Sequence, residues 1–252
     1  MQLLLLLMAF LLAPQVEAGK IIGGYEVDAH SRPYMAFLQD RRGKNTSSCG
    51  GFLVRKDFVL TAAHCLGSNI TVTLGAHNIK DKEDSQQVIK VKKAIPHPNY
   101  DPDTKANDIM LLQLEKEAKL TDAVSILSLP KERVMMKPGM VCKVAGWGRL
   151  DQNTKTNKLH EAELEIQKDE LCISRYECQY DRCKQMCVGN PNKIQSTSLG
   201  DSGGPLVCGK LAQGIVSFGK KSKKPPSVDT RISGFLSWIN KTMTTFQLQR
   251  PD

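Results

Sequence analysis

The sequence predicts an all-β fold that ends in one α-helix, and three observations carry that prediction. Short apolar runs recur at short spacing along most of the chain. Clusters of glycine, proline and asparagine separate them. Only near the C-terminus does the apolar spacing become helical. In order, Gly51-Phe52-Leu53-Val54, Phe58-Val59-Leu60, Ile70-Thr71-Val72-Thr73-Leu74, Gln87-Val88-Ile89-Lys90-Val91 and Ile109-Met110-Leu111-Leu112 read as strands. Gly67-Ser68-Asn69, Pro96-His97-Pro98-Asn99 and Pro102 supply the turns between them. A second set follows in Val141-Cys142-Lys143-Val144-Ala145, Glu161-Ala162-Glu163-Leu164, Pro205-Leu206-Val207-Cys208 and Gln213-Gly214-Ile215-Val216-Ser217-Phe218. Many short strands of this kind build barrels or sandwiches. Phe235, Leu236, Ile239, Met243 and Phe246 then fall on one face of a helix, most simply a core-packing face.

Bulk properties bound the function. A chain of 252 residues, 40% hydrophobic, buries a sizeable core in one large unit or two small ones. No internal repeat or low-complexity segment interrupts it. Leu3 to Leu12 is an almost unbroken apolar run, shorter than the roughly 20 residues a membrane-spanning helix needs. Val16-Glu17-Ala18 follows with small-residue cleavage chemistry, so residues 1–18 are expected to be a signal peptide cut after Ala18. No other segment is apolar enough to span a bilayer, and the protein is expected to leave the cytosol. Eight cysteines agree with an oxidising compartment, although eight allow 105 pairings and the sequence alone selects none. The net charge of +9 suggests polyanionic company. The basic clusters are Lys220, Lys221, Lys223 and Lys224; Lys90, Lys92 and Lys93; and Arg41, Arg42 and Lys44. Nothing resembles a DNA- or RNA-binding module, so nucleic acid is not an expected partner.

Three separated segments carry chemistry: Thr61-Ala62-Ala63-His64-Cys65, Asn107-Asp108-Ile109 and Gly200-Asp201-Ser202-Gly203-Gly204-Pro205. A serine hydroxyl is a weak nucleophile at neutral pH and needs an imidazole to take its proton. The imidazole needs a carboxylate to fix its tautomer and to stabilise the imidazolium. Asp108 precedes the apolar run Ile109 to Leu112, so its carboxylate is expected in a largely buried region, where a histidine N–H remedies the cost. Glycines around the serine let backbone N–H groups point at a developing oxyanion. His30, His77, His97 and His160 keep a structural reading, and Asp101 and Asp103 read as loop residues. The order His, Asp, Ser separates this set from the subtilisin and α/β-hydrolase arrangements.

These motifs resemble those of chymotrypsin-family serine proteases, above all the granzyme, mast-cell chymase and cathepsin G branch. The likeness continues through Ile21-Ile22-Gly23-Gly24, His30-Ser31-Arg32-Pro33-Tyr34-Met35-Ala36, Cys49-Gly50-Gly51, Thr73-Leu74-Gly75-Ala76-His77-Asn78 and Val144-Ala145-Gly146-Trp147-Gly148. The resemblance implies two antiparallel six-stranded β-barrels with the site in the cleft between them. The chain is then expected to cross over near 128–137, with one barrel over about 21–130 and the other, with the helix, over about 131–252. It implies Ser202 as nucleophile, His64 as general base then acid, and Asp108 as orienter, with the N–H groups of Gly200 and Ser202 forming the oxyanion hole. It also implies a zymogen whose new Ile21 ammonium pairs with Asp201 after the dipeptide Gly19-Lys20 is removed. A dipeptidyl peptidase would be the usual agent, while Lys20 leaves trypsin-like cleavage open. The implied disulfides are Cys49–Cys65, Cys142–Cys208 and Cys172–Cys187. Cys178 and Cys183 are left over: a bridge within their loop, an intermolecular bridge and a zinc site are the readings, in that order of preference.

Specificity is less legible. By resemblance Ser196 forms the base of the primary pocket with Thr197 beside it, and the missing aspartate argues against a trypsin-type arrangement. Ser217-Phe218-Gly219 matches the strand that pairs with substrate backbone. Ser227 is a small wall residue, which favours a roomy pocket for Phe, Tyr, Leu or Met. Asp229 stands where the family usually has an uncharged residue, so it either attracts Lys or Arg or serves an internal hydrogen bond. Asn45, Asn69 and Asn240 head glycosylation tripeptides. The expected partners are protein or peptide substrates, serpin-type inhibitors and sulfated proteoglycan, with no cofactor and no metal. The expected location is outside the cell or in a secretory granule of a haematopoietic cell. A non-catalytic cationic homologue that binds glycans or microbial surfaces is the competing function.

Overall fold

A computed structural model of the chain describes residues 24–42, 45–148, 156–193, 201–220 and 224–248. The signal segment, the dipeptide 19–20, Ile21, Ser196, Thr197, Gly200, Lys44, Lys221 and Lys223 lie outside the described residues.

Six strands close into a barrel: β2 (Met35–Arg42), β3 (Asn45–Arg55), β4 (Phe58–Thr61), β5 (Ile70–Leu74), β6 (Gln87–Pro96) and β7 (Met110–Leu114). Their spatial order is β2-β3-β4-β7-β6-β5, antiparallel throughout. Ala36, Leu38, Leu53, Val59, Val72, Leu74, Ile89, Met110 and Leu112 fill its interior. The alternate residues of β4 and β7, Phe58, Leu60 and Leu111, pack outward into a second apolar layer. A strand buried on both faces loses polar alternation, which is why Ile109 to Leu112 reads as one apolar run.

The other strands are β1 (Tyr25–Glu26), β8 (Val141–Gly146), β9 (His160–Glu165), β10 (Gln185–Val188), β11 (Pro205–Cys208), β12 (Leu211–Phe218) and β13 (Ser227–Arg231). They form a seven-stranded antiparallel sheet in the order β1-β9-β8-β11-β12-β13-β10. The bridge Ile166–Val188, with Gln167 N–H donating to Cys187 O at 2.8 Å and Gly189 N–H to Glu165 O at 2.8 Å, curls β10 back against β9. Six strands therefore wrap around the core of Val144, Leu164, Met186, Val188, Leu206 and Val216, and β1 adds a seventh on the outside.

The connection between the two units runs over residues 115–140. Leu127 N–H still donates to Leu53 O of β3, while Ser128 O already accepts from Ala212 of β12. Helix α2 (Leu236–Leu248) lays Leu236, Ile239, Met243 and Phe246, with Phe235 just before it, on the layer formed by Phe52, Phe58 and Leu111. The helical spacing thus serves core packing. A short helix α1 (Asp169–Tyr176) has no counterpart among the sequence expectations. Acidic residues in its first turn and Arg175 in its last were the available signal. The structure contains the three disulfides Cys49–Cys65, Cys142–Cys208 and Cys172–Cys187. Cys178 and Cys183 are free and exposed, so the expected bridge between them is not formed. Cys178 sits in the tight turn Glu177–Gln179, and Cys183 N–H is tied to Asp181 at 2.8 Å.

Candidate active site

The site is assembled where the barrel meets the curled sheet. His64 lies in a 3-10 turn, Ala63–Cys65, directly after β4, and the Cys49–Cys65 disulfide fastens that turn to β3. Asn107 adopts φ 56°, a left-handed conformation that asparagine tolerates, and turns the chain so that Asp108 enters the interior ahead of β7. Asp108 is 0% exposed. Its Oδ1 accepts the His64 backbone N–H at 2.9 Å, and its Oδ2 lies 2.7 Å from His64 Nδ1. His64 is thus held at two points, one on its main chain and one on its ring, with its side chain 20% exposed.

The curled sheet completes the carboxylate's surroundings. Ser217 Oγ of β12 donates to Asp108 Oδ2 at 2.5 Å, and Thr230 Oγ1 of β13 donates to Asp108 O at 2.8 Å. Burial pushes the Asp108 carboxyl upward, but hydrogen bonds from His64 and Ser217 outweigh it and hold it below the ordinary carboxylate range. Sequence reasoning missed both hydroxyls as Asp108 partners. Ser217 was expected only to pair with substrate, and Thr230 carries no local signal because its partner is 122 residues away.

Ser202 is positioned by main-chain bonds to both units. Gly50 N–H donates to Ser202 O at 2.8 Å, Gly203 N–H donates to Val216 O at 2.9 Å, and Gly204 N–H donates to Asp201 O at 2.9 Å. Gly203 has φ 82°, and a Cβ there would lie 2.6 Å from Gly50 O and collide with Thr61 Oγ1. Only glycine fits that approach. No hydrogen bond joins Ser202 Oγ to His64 among the described residues; the His64 ring is bonded to Asp108 alone. Asp201 is wholly buried, and its Oδ1 accepts Gly148 N–H at 3.1 Å. A Cβ on Gly148 would fall 2.5 Å from that oxygen, so the glycine makes room for the carboxylate.

Beyond Val216, whose N–H bonds to Gly204 O, no strand pairs with Ser217–Gly219 on the side facing Ser202 among the described residues. A cavity of about 510 Å³ opens beside that edge, lined by Arg175, Tyr176, Cys178, Phe218, Gly219 and Lys220. Ser227 donates to Val188 O at 3.4 Å, and its Cβ is 3.6 Å from where a Cβ on Gly219 would stand. Asp229 is 0% exposed and neither carboxyl oxygen has a partner. Burial pushes its carboxyl up to about 8. Cys49, His64 and Cys65 bring ligand-type atoms within 4.8 Å of one another, but the two sulfurs are bonded together and offer no thiolate. Asn69 and Asn240 are exposed, and Asn45 begins β3. No helix among the described residues is long and apolar enough to cross a membrane.

A family model described as Trypsin matches residues 21–239. Mast cell protease 3 of Ovis aries is 58% identical over 98% of this chain and 98% of its own length. Granzyme H of Homo sapiens is 55% identical, covering 96% of this chain and 99% of its own. Cathepsin G of Mus musculus is 53% identical, covering 100% and 97%. A solved structure described as "Structure of GrC" superposes with a TM-score of 0.86 at 52% identity, over 89% of this chain and 100% of that one. With the family model spanning most of the sequence and such relatives along nearly its whole length, the chain belongs to the trypsin family and is a serine endopeptidase related to granzymes, cathepsin G and mast-cell proteases.

Proposed function

We propose that the mature protein is a secreted or granule-stored endopeptidase of haematopoietic cells that cleaves peptide bonds through Ser202, His64 and Asp108. The observation that carries this reading is the two-point grip of a fully buried carboxylate on His64, which commits Nδ1 and leaves Nε2 without a hydrogen bond among the described residues. In the reaction Ser202 Oγ attacks the scissile carbonyl as His64 Nε2 takes its proton, and Asp108 stabilises the imidazolium. The oxyanion is met by the N–H groups of Gly200 and Ser202, each worth on the order of 3–4 kcal/mol in such sites. His64 returns the proton to the leaving amine, and water then releases the acyl group by the same path in reverse.

Activation is the removal of Gly19-Lys20, after which the Ile21 ammonium pairs with Asp201. The complete burial of Asp201 supports this, since a buried carboxylate gains most from an opposite charge. Ser196, Thr197 and Ser227 favour Phe, Tyr, Leu or Met at P1, the residue before the scissile bond. A second preference, for Lys or Arg, is favoured by the partnerless carboxyl of Asp229. Serpin-type inhibitors and sulfated proteoglycan are the proposed partners, and Asn45, Asn69 and Asn240 the proposed glycan acceptors.

The test is covalent labelling of the activated protein by a peptidyl organophosphonate. Label is expected on Ser202, and Ser202→Ala is expected to lower kcat by roughly 10⁴–10⁶-fold. No label and no hydrolysis from protein with a free Ile21 terminus would overturn this reading in favour of a non-catalytic cationic binder.

A further inference from the structure

Among the described residues the buried carboxylates other than Asp229 are bonded. Glu161 accepts from Arg32, Lys143 and Tyr25, Asp57 from Arg55, Asp40 from Asn69 N–H, and Asp108 from His64 and Ser217. Asp229 is the exception among the described residues, with both oxygens buried and unbonded. A carboxyl placed so contributes nothing to folding and carries a desolvation cost. An internal hydrogen bond is therefore not its role.

Strand geometry gives its direction. Val228 packs with Cys172, Tyr176, Cys187 and Phe218, and Thr230 turns its hydroxyl to Asp108. Alternation sends Asp229 the other way, between its strand partners Met186 of β10 and Val216 of β12, both members of the sheet's interior cluster. Ser227 shares that face two residues earlier, beside Gly219 at the cavity. The carboxyl thus lies behind the wall where β12 would hold substrate.

Among the described residues no cation bonds it. Arg231, on the same strand, donates Nε to Gln185 O and leaves Nη1 buried and unpartnered without reaching Asp229, and Lys184, ahead of β10, donates to Asn107. On β10, Cys187 is disulfide-bonded to Cys172. On β12, Ser217 is committed to Asp108, and on α1 the Tyr176 hydroxyl donates to Pro226 O at 2.8 Å. Asp201, ahead of β11, faces Gly148, and residues 194–200 contain no ionisable side chain.

We propose that Asp229 is a specificity-determining residue of the primary pocket, which receives the ammonium or guanidinium of a P1 Lys or Arg. The inference rests on the serine protease reading above and deepens it. A long cationic side chain is the ligand that supplies both the missing charge and the missing donors, as a short or uncharged one does not. Because burial holds the carboxyl up to about 8, the floor is mostly neutral at pH 7 and tolerates an apolar P1. A cation binds the ionised form, so its binding expels a proton. Preference for Lys over Phe then rises by up to about tenfold per pH unit below that value and levels off above it.

The experiment compares two peptides that differ only at P1, Lys against Phe, from about pH 6 to about pH 9.5. Any pH effect common to the two peptides cancels in the ratio of their kcat/KM values. The ratio should climb with pH in the wild type, and in Asp229→Asn it should be flat and lower by roughly 10–100-fold at high pH. Binding of p-aminobenzamidine to the wild type gives a measurement that needs no variant, and should tighten over the same range. A ratio that is flat in the wild type, or equal in Asp229→Asn, overturns the inference while leaving the protease reading intact. No cleavage of either peptide and no phosphonate label on Ser202 would overturn both.

Discussion

Asp108 and Asp229 are both 0% exposed, and their surroundings drive them in opposite directions. At Asp108 the penalty of burial is outweighed by His64 and Ser217, so the carboxylate stays charged and contributes stability that is lost as pH falls through its lowered titration. At Asp229 nothing offsets burial. Its folded titration lies near 8 while an unfolded aspartate titrates near 3.9. Between those values the folded state holds the extra proton, so stability falls as pH rises, with a slope approaching 1.4 kcal/mol per unit from this group, about the free energy of one pKa unit. Asp229→Asn removes that slope. Its Tm should exceed that of the wild type by a margin that widens from about pH 5 to about pH 8 in thermal melts. A margin constant across the range would mean that the carboxyl is not held neutral by burial. The fold thus carries a residue that weakens it at working pH, as functional sites commonly do.

At the level of elements, the turn between Asp201 and β11 is the joint between the two units. Gly203 passes so close to Gly50 and Thr61 that a single methyl group has no space, and its φ of 82° is itself unfavourable for alanine. Gly203→Ala should therefore move Ser202 away from the His64 turn. The expected result is a loss of kcat of more than about 100-fold, in line with the cost of misplacing a reacting group by an ångström. Retained labelling and turnover in that variant would show that the joint can yield. Legibility also differs by element. β4 and β7 were plain in the sequence because both faces are apolar. β13 was not, because Asp229, Thr230 and Arg231 look solvent-facing although all are buried. Thr230 donates to Asp108 O and Arg231 donates Nε to Gln185 O, partners that no local pattern announces, while Arg231 Nη1 stays buried without one. β2 and β10 were also left out of the strand reading, and eight-residue α1 was too short for a periodic signal.

Across the whole molecule, the site exists only because two separately cored units dock. The barrel brings His64 and Asp108, the curled sheet brings Ser202, Ser217 and Thr230, and the layer around Phe52, Phe58, Ile215 and Ile232 holds them together. The motifs pointed to His64, Asp108 and Ser202 as the proposed reacting residues, whereas the hydroxyls of Ser217 and Thr230 reach Asp108 only through docking, and no local pattern marks them. Charge is distributed on the same scale. The net +9 is partly displayed on the outer face of β6, where a register shift between Val91 and Lys93 lets Lys92 and Lys93 both face solvent beside exposed Lys90. Lys93 lies 4.9 Å from the Phe246 ring and so also supports α2. Lys90 and Lys92 carry no such packing duty and are the cleaner probes of the proposed proteoglycan partner. Replacing both with Gln should shift elution from immobilised heparin to lower salt, because fewer counterions are released on binding. The phosphonate labelling rate, which reads the distant Ser202, should stay the same. Elution at unchanged salt would remove the β6 face from the polyanion site and leave the exposed Lys220 and Lys224 as the surface to neutralise next.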